Sequence, residues 1–395
     1  MARFDSKGSE FKQITVIYIQ FKKIWFKVIR AEDARLVVLH FQEAGGKDPD
    51  NYGDSLSQLI QNLFQRLREF KYTNCHAFLD LDADCIEEYT ALASVIFVHA
   101  STADKLEQFN FKTAKYVPIH HIGDGIRGAY RILLEDNLLD SVFVRKEKFS
   151  HAFWREIRWG RKGFLHTRWR IANERILNFI NIHLFHDDCN INAIENPSKY
   201  RGIRARALRY TLDAFRDWSR ALNEDPAQSY LYLFGDLNFR LNAAAFVATL
   251  TNDTAPNVTT YESAFLGANL HASPRSSSCS EDSSSTCADS NSHLDSLPAT
   301  VLQPGRPVCW EYFDADRETL FADKFVSDSL IMWISRYPWA EDPSVGCALM
   351  KTRAPAWCDR VLMNATARRA CSDACYEAVG VDTPTGDHKV HFYTT

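Results

Sequence analysis

Long apolar runs are missing from this sequence. Residues 1–10 contain none, and Ile14–Ile19 is a stretch of only six residues between polar or charged flanks, so neither a secretory signal peptide nor a transmembrane helix is expected. Paired cysteines are missing as well. The 10 cysteines are scattered, with no CxxC and no Cys/His pairs at zinc-binding spacing, which predicts reduced, mostly buried thiols in a cytoplasmic protein. Cys371 and Cys375 are the closest pair, but two thiols without two further ligands do not close a zinc site. Nor is there an excess of positive charge: Lys plus Arg total 46 against 50 Asp plus Glu, and the formal net charge is −4. That balance argues against a broadly basic nucleic-acid-binding surface and requires an anionic partner to be gripped locally. No internal repeat of fixed period is present.

What is there is the composition of an ordinary globular protein, 46% hydrophobic, 24% charged and 13% aromatic over 395 residues, enough for a sizeable core. Residues 272–296 break from it. Serine dominates there and almost nothing can be buried, so the segment cannot offset its ordering entropy. A disordered insertion at 251–306 is expected, interrupting a single domain of residues 1–395. Strand-like runs lie at Arg35–Gln42, Ser94–Val98, Arg168–Ala172, Ile176–Leu184 and Tyr230–Phe234, several of them ending in a carboxylate, a histidine or a glycine turn, as strands do at an active edge. Helical 3/4 spacing joins Leu56, Leu59, Ile60, Leu63, Phe64 and Leu67, and again Leu208, Leu212, Phe215, Trp218 and Leu222. The fold class is therefore α/β.

Chemistry concentrates in a few short motifs. In Tyr230–Arg240 (YLYLFGDLNFR) a buried strand runs into a glycine and presents Asp236 and Asn238, which alternate to the same side if the strand continues. A carboxylate beside a carboxamide can aim a water, although G-D-x-N taken alone also suits a turn. In Arg353–Leu362 (RAPAWCDRVL), Pro355 sets an extended entry and Trp357 offers a buried anchor, while Asp359 and Arg360 point to different faces of a strand. Alone, that charge pair also suits an ion pair. Gly386–Lys389 (GDHK) places His388 between a carboxylate and a lysine, as a phosphate ligand or an acid/base group, or else in a solvated loop. At the end of another strand, Asn181–Asp187 carries His183 on the side of Asn181. Glu43, after the first strong strand, suits Mg2+, which keeps most of its waters and takes few carboxylates, or else is simply a helix N-terminal acid. Arg161 and Lys162, Lys351 and Arg353, and Lys389 supply an anion grip, whereas Arg201, Arg204, Arg206 and Arg209 have the spacing of a solvated helical face.

Together, G-D-L-N-F-R and P-A-W-C-D-R-V-L resemble the paired motifs of the inositol polyphosphate 5-phosphatases, with Q-E, N-I-H-L and G-D-H-K falling in that family's order. The context Arg161–Phe164, Asn181–Asp187 and Met350–Leu362 is similar to the type I enzymes. The resemblance implies a four-layered α/β sandwich of the DNase I-like (endonuclease/exonuclease/phosphatase) type and Mg2+-dependent hydrolysis of a phosphomonoester. It implies further that Glu43 is the metal ligand, that Asp236 with Asn238 handles water and scissile phosphate, and that His183 contacts that phosphate. Asp359 would orient His388, Asp387 would stand beside the metal-side network, and Arg360, Lys162, Lys351, Arg353 and Lys389 would bind the remaining phosphates. Whether the proton passes to Asp236 or to His388 stays open.

The expected substrates are soluble inositol polyphosphates, inositol 1,4,5-trisphosphate and the 1,3,4,5-tetrakisphosphate, whose hydrolysis would end a calcium-mobilising signal. The other readings are a nuclease or sphingomyelinase of the same fold, which the charge balance opposes, and a catalytically impaired relative that binds inositol phosphates. The last is motivated by departures from the pattern: Lys12–Ile17 has no asparagine of the T-x-N-V-G kind, and the chain stops soon after Lys389, so its last strand is expected to be short. Phe392–Thr395 contains no cysteine, so no prenyl anchor is expected and any plasma-membrane contact would be peripheral.

Overall fold

The computed structural model describes residues 34–44, 52–80, 87–119, 142–151, 154, 160–188, 195–240, 326–328, 356, 358–370, 375–379, 388 and 390–394. The expected insertion at 251–306, the stretch 12–17, and Lys351, Arg353, Asp387 and Lys389 lie outside the described residues.

Strands β1 (Leu36–Phe41), β2 (Tyr72–Leu79) and β3 (Ala93–His99) form an antiparallel sheet in the order β1-β3-β2. A second sheet contains β4 (Leu106–Asn110), β5 (Lys115–Pro118), β6 (Arg145–Lys148), β7 (Gly163–Ile171), β8 (Arg175–His183), β9 (Tyr230–Asp236), β10 (Val326–Asp328) and β11 (Asp359–Asn364). Its order is β10-β11-β9-β8-β7-β4-β5, with β6 also paired to β7. The five runs picked out by pattern all fall on strands, and Arg168–Ala172 proves to be the end of the longer β7. There Ala172 and Asn173 both take positive φ (52° and 62°), turning the chain into β8.

Side-chain parity stacks the two sheets. Every residue of β3 from Ala93 to Val98 is buried, because both of its faces are covered. Phe97, on one face, stacks on Phe64 of helix α1 (Tyr52–Leu67) with ring centroids 6.0 Å apart. On the other face, Ser94 is the partner of His40, whose ring lies 4.8 Å from Phe234 of β9. Likewise His76 of β2 meets Trp169 of β7 edge-on at 5.3 Å. The far face of the large sheet, through Ile180, Ile182, Leu231 and Leu233, packs on Ile203, Ala207, Leu208, Leu212 and Phe215 of helix α2 (Pro197–Ala221). Helix, small sheet, large sheet and helix make the expected four layers, and burying each such aromatic or aliphatic side chain contributes about 1.5–3 kcal/mol.

The arginine run on α2 departs from expectation. Arg206 and Arg209 are exposed, but Arg204 is buried with its Nη1 2.5 Å from Asp187 Oδ1. Position 204 belongs to the same stripe as Tyr200, Ile203, Ala207 and Leu208, which faces the sheet. Beyond the sandwich, β12 (Cys375–Val379) pairs antiparallel with the short strand β13 (Val390–Thr394). Among the described residues, no helix is long and apolar enough to cross a membrane.

Candidate active site

Two strand connections gather the chemistry at one edge. β8 runs parallel to β9, which requires a crossover, and the 25-residue helix α2 provides it. The C-terminal ends of both strands therefore lie side by side. β11 runs antiparallel to β9, so its first residue meets the last residue of β9. The result is one transverse row of Cα partners across four strands: Gly163, His183, Asp236 and Asp359. Gly235, just before Asp236, has φ 151°, and a Cβ there would lie 1.8 Å from Ile182 O. Only glycine allows β9 to approach β8 this closely.

Asp236 is the hub of the cluster. Its Oδ1 accepts from Asn238 N at 2.8 Å, and its Oδ2 accepts from Asn238 Nδ2 at 3.0 Å. Asn238 does not continue the strand as alternation would have it. Its φ is 50°, a left-handed turn that folds the side chain back, and Nδ2 also donates to Leu184 O at 2.9 Å. G-D-x-N therefore forms a turn, and that turn sets the Asn238 carboxamide against the Asp236 carboxylate. His183 Nε2 lies 3.3 Å from Asp236 Oδ2, and His388 Nε2 lies 4.0 Å from the same oxygen. The other nitrogen of His388, Nδ1, is 2.7 Å from Asp359 Oδ2. With Nδ1 donating to that carboxylate, Nε2 is left facing Asp236.

Opposite this dyad stand the basic and metal-side groups. Lys162, one residue before Gly163, is buried and its Nζ contacts His183 Nε2. Glu43 Oε1 is 3.6 Å from Lys162 Nζ and 3.8 Å from His183 Nε2. Glu43, Lys162, His183, Asp236, His388 and Asp359 therefore form one continuous cluster. Arg360 does not join it. It alternates to the other face of β11, where its guanidinium lies 4.9 Å from the Phe239 ring.

Electrostatics separate the two aspartates. Burial opposes ionisation of Asp236, but His388, the hydrogen bond from His183 and Lys162 outweigh it, and the carboxyl lies far below the usual range. For Asp359, burial dominates and raises the carboxyl, with His388 offsetting part of the rise. Desolvation also opposes ionisation of Glu43, yet Lys162, His183 and Arg161 hold it below its ordinary value. Lys162 is itself lowered by burial, against the pull of Glu43 and Asp236.

The donor set suits a hard divalent cation. Ligand atoms of Asp236, Asp359 and His388 all lie within 4.8 Å of one another, but the dyad already engages His388 Nδ1. Glu43 is better placed for the ion: it stays ionised and its side chain is 59% exposed, so an ion held there would keep water ligands.

Three further residues shape the site without having been singled out for it. Arg240 closes the back of the site, its Nη2 2.5 Å from Asn238 Oδ1 and its Nη1 3.4 Å from Cys358 Sγ. It belongs to the G-D-L-N-F-R motif, so its place two residues beyond Asn238 was the available clue. Asn181 and Gln42 meet across the sheet interface, Nε2 of Gln42 to Oδ1 of Asn181 at 2.6 Å, a contact that only sheet packing creates.

No family model matches the chain, but relatives match along nearly all of it. A Caenorhabditis elegans protein described as a probable type I inositol 1,4,5-trisphosphate 5-phosphatase is 33% identical over 419 residues, covering 97% of this chain and 95% of that one. Human inositol polyphosphate-5-phosphatase A is 31% identical over 376 residues, covering 93% and 86% respectively. Among solved structures, the 5-phosphatase domain of SPsynaptojanin, in complex with inositol (1,4)-bisphosphate and calcium ion, aligns with TM-score 0.42 at 15% identity over 91% of this chain and 74% of that one. A Danio rerio TDP2 complexed with single-strand DNA product aligns with TM-score 0.39 at 11% identity, covering 96% and 91%.

Proposed function

This chain belongs to the inositol polyphosphate 5-phosphatase family, and we propose that it is a phosphomonoesterase removing the 5-phosphate from soluble inositol polyphosphates with Mg2+ as its cofactor. Inositol 1,4,5-trisphosphate and the 1,3,4,5-tetrakisphosphate are the proposed substrates, and their hydrolysis in the cytoplasm ends a calcium-mobilising signal. The observation that carries this reading is the row Gly163–His183–Asp236–Asp359, which brings strands from distant parts of the chain together where Lys162 and His183 lie against the carboxylates of Glu43 and Asp236.

Hydrolysis asks for an aligned water and for neutralisation of charge on the phosphoryl oxygens, without a covalent intermediate. Asp236, held ionised and oriented by Asn238, accepts a hydrogen bond from the attacking water. His388, oriented by Asp359, stands beside it as the proton-transfer group. Lys162 and His183 donate to phosphoryl oxygens from the opposite side. Glu43 would hold the divalent cation, which would supply Lewis-acid neutralisation of the phosphate when bound. Water adds to phosphorus and gives a proton to the Asp236–His388 pair, the P–O bond to the inositol ring breaks, the ring oxygen takes up a proton from that pair, and inorganic phosphate and an inositol carrying one phosphate fewer leave.

The test incubates the purified protein with inositol 1,4,5-trisphosphate or nicked DNA, with and without Mg2+, and measures inorganic phosphate. Mg2+-dependent release from the inositol phosphate alone is expected. Release only from a DNA end would reject the proposal in favour of a nuclease.

A further inference from the structure

Asn181 is fully buried on β8, two residues before His183 and on the same face. Its amide nitrogen reaches three oxygens of the small sheet: Phe41 O at 3.2 Å, Ala93 O at 2.8 Å and Ser94 Oγ at 3.3 Å. These acceptors fix which end of the amide is nitrogen, since a flipped group would set oxygen against two carbonyls. Oδ1 must then accept, and it accepts from Gln42 Nε2 at 2.6 Å. Gln42 immediately precedes Glu43. Glu43 holds φ 50°, a left-handed conformation that a non-glycine residue keeps only when its surroundings over-determine it. The surroundings do so from both sides, for Ala44 N donates to Ala91 O at 3.0 Å.

From this geometry we infer that Asn181, acting through Gln42, is a positioning residue that sets the Glu43 carboxylate relative to His183 and thereby tunes the divalent-cation site. The inference rests on reading Glu43 as the cation ligand. Asn181 and His183 share one strand, so a hydrogen bond from Gln42 to Asn181 registers the end of β1 against the strand that carries the phosphate-side histidine. A carboxylate on a free turn would wander relative to that histidine. Here the turn is tied at residue 42 and residue 44 and the carboxylate lies between the ties.

A purely structural role for Asn181 would lower stability without touching cation affinity, so the experiment reads both. Mn2+ alone, followed by electron paramagnetic resonance, is titrated into the wild-type chain, Gln42→Met and Asn181→Asp, and each is melted in the absence of metal. Gln42→Met keeps the length of the side chain, removes its donor and leaves the three bonds of Asn181 Nδ2 in place. It is expected to raise the Mn2+ dissociation constant about tenfold while lowering the melting temperature by no more than about 4 °C. Asn181→Asp is expected to weaken Mn2+ at least as much; if it fails to fold, Gln42→Met alone decides. Wild-type Mn2+ affinity in folded Gln42→Met overturns the inference, as does a wild-type chain that binds no Mn2+. A wild-type chain that binds Mn2+ but releases no phosphate overturns the hydrolase reading only, and the comparison of Mn2+ affinities still tests the positioning.

Discussion

Burial of neutral histidines between the sheets makes the fold sensitive to acid, and His76 measures by how much. It sits on β2 with neither ring nitrogen hydrogen-bonded, edge-on to the fully buried Trp169. Desolvation lowers its pKa from 6.5 to about 4. The folded protein therefore keeps His76 neutral in a range where the unfolded chain takes up a proton. Its share of stability is intact above pH 6.5 and is lost as pH falls from 6.5 towards 4. At about pH 5 the difference between the two protonation curves is about 2 kcal/mol, rising to about 3 kcal/mol below the folded value. His40, lowered by burial to about 3, adds a loss of about 2 kcal/mol at the same pH. Against a total stability of about 5–15 kcal/mol this is a large fraction. Phenylalanine at position 76 preserves the aromatic edge and leaves no unpaired nitrogen. Urea unfolding of wild type and His76→Phe at about pH 7.5 and about pH 5 should show the variant losing about 2 kcal/mol less across that interval, with equal or greater stability at the higher pH. An identical pH loss in both proteins would refute the argument.

Asp236→Asn should lower kcat by about 10³-fold or more with an unchanged circular dichroism spectrum, because it removes the charge that the surrounding histidines and Lys162 stabilise; retained turnover would take Asp236 out of the reaction. His388→Ala should cost about 10²–10⁴-fold in kcat, and Asp359→Asn less, since it leaves the imidazole in place while disturbing its tautomer. Gly235→Ala should destabilise the fold by about 3 kcal/mol or abolish soluble expression, because its methyl group would meet Ile182 O at 1.8 Å; a normal melting curve would contradict the reading of the β8–β9 approach. Arg204→Leu should cost about 3–5 kcal/mol by leaving Asp187 buried without its main counter-charge, whereas Arg206→Ala, at an exposed position of the same helix, should fall within about 0.5 kcal/mol in chemical denaturation.

What could be read from sequence divides along the range of the interaction. Strand ends, helix stripes and the motif residues depend on neighbours a few positions away, and they emerged: β1, β3, β8 and β9 lie where alternation and apolar runs put them. Asp359 and Arg360 part to opposite faces of β11 because the side-chain period of a strand is two. The order of layers was legible only through resemblance, since composition holds no information on which faces meet. Asn238 shows how a local rule fails locally: alternation assumed that the strand continued, and its own amide, bonded to Asp236 and Leu184 O, ends the strand instead. Arg204 failed for a different reason. Its position lay on the apolar stripe throughout, but a charge reads as solvated until its partner is known, and Asp187 reaches it only because β8 and α2 pack together. Asn181, His40 and His76 carry the strongest form of this limit. Each is a polar residue on a strand face that another sheet covers, and nothing nearby in the chain distinguishes it from a solvated one. The residues hardest to read are therefore those at the sheet–sheet interface, where Asn181 ties β8 to Gln42, beside Glu43, and to Phe41 and Ala93, through an amide whose partners lie about 90 and 140 residues away in the chain.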